Sequence, residues 1–182
     1  NYVLKFIQFG KVTENTYGSY TTIAGDKVEG YKILQSTNWS NLFFPFIKDE
    51  VIMIDEVDTN LIQSLNNLIE VGNITISTEN AKFPKLEKAN GVLISAANVN
   101  LSSLKTAKRV AITSNGTNTN LSGLQTAGEI TIYHNATNAD LSVLETVDGE
   151  VYINAKNANL SNLKKVDGEI DIRADNANLS SL

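Results

Sequence analysis

The sequence predicts a mainly β protein: a single-stack parallel β-solenoid of about six coils of 18–20 residues, with a mixed α+β N-terminal cap. Three observations predict it. One pattern recurs at a near-constant spacing between residues 65 and 182, each copy contains two apolar β-branched residues in strict alternation, and each copy places an Asn three residues before the next copy. A short unit repeated at a fixed period is typical of stacked coils, because one unit cannot bury its apolar face alone.

Each copy opens with two large apolar residues three positions apart. The first position holds Leu65, Phe83, Leu101, Leu121, Leu141 and Leu160, and the second holds Leu68, Leu86, Leu104, Leu124, Leu144 and Leu163. The segment between them is too short for more than one turn of helix. We predict an extended or irregular segment there, with a single helical turn as the alternative, because Ser, Thr and Asn fill its flanks.

A short strand is predicted next in each copy. Its alternating pairs are Ile74 and Ile76, Val92 and Ile94, Val110 and Ile112, Ile130 and Ile132, Val151 and Ile153, and Ile170 and Ile172. Period-two alternation of β-branched residues indicates a strand with one buried face. Stacking the copies places these strands in a parallel sheet, at a separation of about 4.8 Å.

The recurring Asn residues are predicted to form a structural ladder at one corner of the coils. They are Asn80, Asn98, Asn118, Asn138, Asn157 and Asn176. An inward Asn side chain at a sharp corner can bond to backbone groups of its own turn and of the next coil. An Asn row that binds a polar ligand is the alternative.

The repeat resembles those of leucine-rich-repeat and receptor-L-domain-like solenoids of cell-surface proteins. The matching residues are Leu121-x-x-Leu124, the segment 128–132 (GEITI) and the corner Asn138, with equivalents in each copy of residues 65–182. The chain departs from those families in having no Cys and in placing its Asn four to six residues after the strand. The resemblance implies a leucine-rich-repeat-like recognition scaffold without implying a particular ligand.

Residues 1–60 lack the repeat and are predicted to be an N-terminal capping segment, whereas residues 61–182 form the repeat domain. Strands are expected at 2–9, 31–34 and 51–54, and residues 61–69 have helical spacing. An end coil exposes its apolar interior and therefore needs a cap. The opposite end, from Leu179 to Leu182, has no such cover, which predicts either further chain or end-to-end self-association there.

Composition excludes several classes of partner. The net charge is −5 and the pI is about 4.9, with no run of Lys or Arg, so nucleic acid is not an expected partner. The absence of Cys excludes disulfides and thiolate metal sites, and we expect neither a metal nor a cofactor. No apolar run approaches the roughly 20 residues that span a bilayer.

Between the strand and the Asn corner, the third and fourth copies are two residues longer than their neighbours, within 114–117 and 133–137, and the second of these segments contains the one His of the chain. Insertions in solenoids often mark the binding face. Outward strand positions in the C-terminal half add larger side chains. The candidate binding residues are Asn115, Thr117, Tyr133, His134, Asn135, Thr137, Tyr152, Asn154 and Arg173.

A column of carboxylates offers an alternative, enzymatic site. Glu129, Glu150 and Glu169 align just before their strands. Glycoside hydrolysis needs two carboxyl groups about 5–10 Å apart. Earlier copies have Asn73, Gly91 and Arg109 in this column, so a solvated surface column is the preferred interpretation and no catalytic residue is assigned.

Three functions follow from these patterns. We expect a non-catalytic recognition or adhesion module of a cell-surface or secreted protein, located outside the cell or on its surface, that binds protein or glycan through one face of the solenoid. One alternative is a structural spacer or assembly unit that stacks through its open C-terminal coil. The other is a polysaccharide-cleaving enzyme that uses the Glu column.

Overall fold

The structure is a computed structural model, and it describes residues 66–113 and 118–182, except the side chains of His134 and Asn135. Before residue 66 it describes the backbone of four strands and the side chains of Phe46 and Ile47. The described strands are β1 (Val3–Phe9), β2 (Tyr17–Thr21), β3 (Lys27–Tyr31), β4 (Phe46–Met53), β5 (Glu70–Ser77), β6 (Asn80–Lys82), β7 (Lys88–Ser95), β8 (Asn98–Asn100), β9 (Thr106–Thr113), β10 (Asn118–Asn120), β11 (Thr126–Asp140), β12 (Thr146–Val147), β13 (Val151–Asn159), β14 (Lys165–Val166), β15 (Ile170–Arg173) and β16 (Asn176–Asn178).

Fourteen of these strands form one parallel sheet that coils into a β-solenoid, which confirms the predicted fold class. The strands β5, β7, β9, β11, β13 and β15 lie side by side in one ladder. The chain passes over this ladder six times, and six passages enclose five full turns. The solenoid therefore has about five turns rather than the six predicted, and the described residues contain no helix.

The alternating apolar residues lie in register from coil to coil. Ile74 pairs with Val92, Val92 with Val110, and Val110 with Ile130, and the ladder continues to Val151 and Ile170. Both alternating positions are buried in the first five of these strands, as are the two apolar residues that open each repeat from Phe83 to Leu163. Each apolar position of the repeat is therefore a continuous stripe inside the stack.

The segment between the two opening residues is a hydrogen-bonded turn. The backbone N–H of Leu104 donates to the carbonyl oxygen of Leu101 at 3.0 Å, and the N–H of Leu124 donates to that of Leu121 at 2.9 Å. A bond between residues three positions apart closes a tight turn. Of the two predicted forms, the extended one is therefore wrong and the irregular one is confirmed, because the turn points both leucines into the core within four residues.

The N-terminal strands join the stack in part. Strand β1 agrees with the strand predicted at 2–9, whereas β4 begins five residues before the predicted start and β3 ends at the residue where a strand was expected to begin. Strands β1 and β4 pair in parallel and extend the solenoid sheet, while β2 and β3 form a separate antiparallel pair. Residues 66–69 are turn and coil rather than helix, and residues 61–65 lie outside the described residues.

One hydroxyl is buried without a hydrogen-bond partner among residues 66–113 and 118–182, that of Thr119. It lies in a column otherwise occupied by small apolar side chains such as Val99 and Ala139. Thr119→Val is expected to raise the free energy of unfolding by about 1 kcal/mol, because the near-isosteric Val removes a desolvated polar group.

Urea denaturation monitored by circular dichroism measures this change. Thr126→Val, at an exposed Thr of strand β11, is the matched control and is expected to change stability by no more than about 0.5 kcal/mol. A destabilised Thr119→Val variant would contradict the prediction.

Candidate functional site

The outward positions of the long strands form two columns, as the sequence predicts. The first joins Thr75, Leu93, Ala111, Thr131, Tyr152 and Asp171 in register. The second joins Ser77, Ser95, Thr113 and Tyr133, and Asn154 pairs with Arg173 beyond it. The larger polar and aromatic side chains of both columns are concentrated in the last three coils.

Tyr152 contacts two other candidate residues on this face, Tyr133 and Arg173. The ring centroids of Tyr133 and Tyr152 lie 5.4 Å apart, with the ring planes inclined at 40°. The guanidinium carbon of Arg173 lies 5.4 Å from the centroid of the Tyr152 ring. Tilted aromatic pairs and a cation over a ring are both favourable contacts. We call Tyr133, Tyr152 and Arg173 the tyrosine–arginine cluster.

A carboxylate on the same strand orients the guanidinium of this cluster. Nε of Arg173 donates to Oδ1 of Asp171 at 3.2 Å, and Nη2 donates to Oδ2 at 2.9 Å. The hydrogen bond to Asp171, its charge and a smaller contribution from Tyr152 raise the pKa of Arg173 above its ordinary value. Because a two-point Arg–carboxylate contact restricts rotation, Asp171 holds the guanidinium of Arg173 over Tyr152 and balances its charge.

The strand that bears Tyr133 contains the two extra residues predicted for the fourth copy. Ile132 pairs with Ile153 and Ala136 pairs with Ala155, so three residues of β11 lie opposite one residue of β13. Such a bulge re-aims the side chains beside it. The backbone of His134 and Asn135 lies in this bulge, but their side chains lie outside the described residues, as do Asn115 and Thr117 of the third copy.

A groove of about 620 Å³ adjoins the tyrosine–arginine cluster. Its lining residues are Thr137, Asn154, Ala155, Lys156, Arg173, Ala174 and Asp175. Three of them are candidate residues from the sequence, and Arg173 belongs to both the groove and the cluster. We call this surface the C-terminal groove. The structure thus brings Tyr133, Tyr152, Thr137, Asn154 and Arg173 together, and their role in binding stays a prediction.

Two groove residues, Lys156 and Asp175, were missed by the sequence analysis. Each immediately precedes a ladder Asn, the same position that Thr137 occupies one coil earlier. The sequence contained a signal for both residues, because the column that includes the candidate Thr137 continues into the next two coils at Lys156 and Asp175. It was overlooked because Lys and Asp are ordinary surface residues when each coil is considered alone.

The Asn ladder is confirmed, but its side chains do not point inward. Nδ2 donates to Oδ1 of the preceding ladder Asn from Asn98 to Asn80, from Asn138 to Asn118, from Asn157 to Asn138 and from Asn176 to Asn157, at 2.8–2.9 Å. These side chains are exposed or half-buried. The predicted inward orientation is wrong because the short strand buries the residue after the Asn, and alternate strand residues face opposite sides.

A second row of side-chain acceptors lies two residues further along and was not predicted. Oδ1 of Asn100, Asn120, Asp140, Asn159 and Asn178 accepts the backbone N–H of the Ser two residues later, at 3.0–3.3 Å. This is the Asx-turn that Asn and Asp favour at turns. The repeated Asn/Asp-Leu-Ser triplet was its signal, and it leads the chain into the turn between the two leucines.

Asn138→Ala tests the ladder at a residue that both donates and accepts. It removes the bond to Asn118 and the bond from Asn157, at 2.8 and 2.9 Å. We expect the free energy of unfolding to fall by about 1 kcal/mol, because both bonds are at the surface, where water replaces them in part.

Thermal and urea denaturation measure the loss. Asn90→Ala is the matched control, since Asn90 is an exposed strand Asn outside the ladder. Equal stability of the Asn138→Ala and Asn90→Ala variants would contradict a stabilising role for the ladder.

The carboxylate column of Glu129, Glu150 and Glu169 lies at the surface of the stack. Asn73, Gly91, Arg109 and Glu129 lie in register, and Glu129 Oε1 is 3.6 Å from Nη2 of Arg109. Glu150 and Glu169 are exposed. Among the described residues, no three His, Cys, Asp or Glu side chains are grouped so that they could hold a metal ion. Whether the column has a catalytic role stays untested.

Comparisons with protein families, with curated proteins and with solved structures return no match for this chain. The fold defines the class of protein: the chain is a β-solenoid repeat protein with hydrogen-bonded Asn side chains stacked between its coils. Within the described part of the chain, no helix has the length and apolar character needed to cross a membrane.

Proposed function

We propose that this chain is a non-catalytic recognition or adhesion module of a cell-surface or secreted protein, which binds protein or glycan through the tyrosine–arginine cluster and the C-terminal groove. The observation that carries the proposal is the contact between Tyr133, Tyr152 and Arg173 on the outward face of the stack. Tyr and Arg are the side chains most enriched at binding hot spots, along with Trp.

The rigid support of these side chains by paired strands favours ligand binding. Tyr152 and Arg173 project from neighbouring strands that are paired along their length, and Asp171 holds the guanidinium at two points. A site on rigid strands loses little conformational entropy when a ligand binds, which strengthens binding for a given contact area. The first three coils present Thr75, Leu93 and Ala111 in place of such side chains, so the proposed site is confined to the C-terminal half.

The proposal includes the family and the location that the repeat suggests. A recognition scaffold of the leucine-rich-repeat or receptor-L-domain-like kind, displayed on or secreted from a cell, accounts for a rigid stack whose outward columns vary while its inward columns stay apolar. The carboxylates argue less well for catalysis. Glu129 lies 3.6 Å from Arg109, and Glu150 and Glu169 are exposed, as expected of a solvated surface column.

Binding of the purified protein to an array of extracellular protein domains and glycans tests the proposal. We expect selective binding that Tyr152→Ala and Arg173→Ala weaken at least about tenfold, as is usual at hot spots. Leu93→Ala is the matched control, because Leu93 occupies the same outward column as Tyr152 in the second coil. Binding that is unchanged in both cluster variants would refute the proposed surface.

An assembly unit that stacks through the coil containing Ile170 and Leu182 is the second candidate. Ile170 is 38% exposed and Leu182 is 55% exposed, whereas their equivalents in earlier coils are buried. Sedimentation velocity over a hundredfold concentration range tests this candidate. Growth of the sedimentation coefficient with concentration, abolished by Ile170→Lys, supports assembly, and a constant coefficient rules against it.

A further inference from the structure

We propose that the C-terminal groove, together with Tyr133, is a subsite for one or two neutral pyranose rings of a glycan. This inference rests on the proposed function and selects glycan over protein as its ligand. It combines three properties of the surface: an exposed aromatic ring, a mixed set of hydrogen-bonding groups, and side-chain charges that balance.

The aromatic ring is that of Tyr133. It is 41% exposed, and contact with Tyr152 at 5.4 Å between centroids restrains its position. A pyranose has one face of C–H groups that is apolar enough to cover an aromatic ring, while its hydroxyls project around the rim. Tyrosine suits such a ligand because it combines an apolar ring with a polar hydroxyl.

The groove beside the cluster provides partners for hydroxyl groups. Thr137 contributes a hydroxyl and Asn154 an amide, and each of these both donates and accepts. Lys156 adds a donor and Asp175 adds an acceptor. Because every sugar hydroxyl also donates and accepts, a lining that alternates the two roles satisfies neighbouring hydroxyls, whereas an anion would use the donors alone.

The charges of the groove favour a neutral ligand. Asp171 balances Arg173 through two hydrogen bonds, and Asp175 brings a negative charge to the groove that contains Lys156. The groove therefore has no net charge with which to attract sulfated or carboxylated sugars. A polyanionic glycan would also meet a protein of net charge −5, which repels it at long range.

The size of the groove favours a small ligand unit over a protein surface. The groove is an open surface hollow of about 620 Å³, which leaves room for one or two sugar rings. A stable protein interface buries about 800 Å² on each partner around an apolar centre. Among the described residues, Tyr133 is the one exposed aromatic side chain on this face, and Ala155 and Ala174 are the apolar residues of the groove lining.

The test uses the whole chain on an array that contains neutral oligosaccharides, uronic-acid and sulfated oligosaccharides, and extracellular protein domains. We expect binding to at least one neutral oligosaccharide, insensitive to salt between 50 and 500 mM. Tyr133→Ala and Asp175→Ala are each expected to weaken it at least about tenfold, as loss of a central contact does. Lys108→Ala, at an exposed lysine of strand β9 that does not line the groove, is the control and should leave it unchanged.

The array outcomes separate this inference from the proposed function. Binding restricted to acidic oligosaccharides, or no binding to any neutral oligosaccharide, overturns the saccharide subsite. If an extracellular protein domain binds instead, and Tyr152→Ala abolishes that binding, the proposed recognition function stands while the subsite fails. If binding of every kind is unchanged by Tyr133→Ala, Tyr152→Ala and Arg173→Ala, both proposals fail.

Discussion

Leu124→Ala is expected to lower the free energy of unfolding by about 3 kcal/mol, the largest single-residue loss we predict for stability. Leu124 is fully buried in the middle of the stack, with Leu104 and Leu144 at the same position of the coils on either side. Removing it takes away buried apolar surface and leaves a cavity that the two neighbouring coils can fill only in part, because parallel pairing fixes the distance between them.

Urea denaturation followed by circular dichroism measures this loss. Leu182→Ala is the matched control, since Leu182 occupies the same repeat position but is 55% exposed, and we expect a change of less than about 0.5 kcal/mol. A loss below about 1 kcal/mol in Leu124→Ala would mean that the coils move together to close the cavity.

Gly128→Ala is expected to lower the free energy of unfolding by about 2 kcal/mol, because it adds an atom where there is no room rather than leaving a cavity. A Cβ at position 128 would clash with the carbonyl oxygen of Lys108 in the preceding coil, and also approach its carbonyl carbon at 3.1 Å. Those atoms belong to the backbone of a paired strand, so they cannot rotate away. The variant must therefore shift strand β9 or β11, which disturbs the hydrogen bonds between them.

Thermal denaturation compares Gly128→Ala with Gly91→Ala. Gly91 lies on strand β7 of the same sheet. At position 91 the added Cβ would meet only side-chain atoms of Asn73, whose amide end can turn aside. We expect the Gly91→Ala variant to lose less than half as much stability as Gly128→Ala. Equal losses would mean that the close backbone approach at Gly128 is not what requires glycine.

The sequence predicts most of this fold because the relevant signal is local and repeated. Alternation such as Ile130 and Ile132 defines a strand with one buried face, and its recurrence at a constant period determines which strands are neighbours. The same register places Tyr152 beside Arg173 and near Tyr133. The cluster was therefore predictable as a set of outward positions, although the contacts between its rings were not.

The corners were predicted less well, because there the direction of a side chain depends on how the backbone bends. The ladder residue Asn138 was located but assigned the wrong face, since its choice between a backbone partner and another Asn is a tertiary outcome. Asn120 was not assigned a role at all, although its amide oxygen caps the following turn. Lys156 and Asp175 line the groove because they continue the column of Thr137, a signal that becomes visible only when successive coils are aligned.

The hydrogen bonds of the Asn ladder all point in the same direction along the solenoid. In each bond between ladder residues described above, the later coil donates and the earlier coil accepts, as from Asn176 to Asn157. The amide dipoles therefore add head to tail, with their carbonyl ends toward the C-terminal coil, where Asn176 presents an oxygen. Two such ends brought face to face would oppose acceptor to acceptor. Any coil that continues the row beyond Asn176, whether from this chain or from another molecule, must bring a donor, so the row favours head-to-tail stacking over a twofold junction.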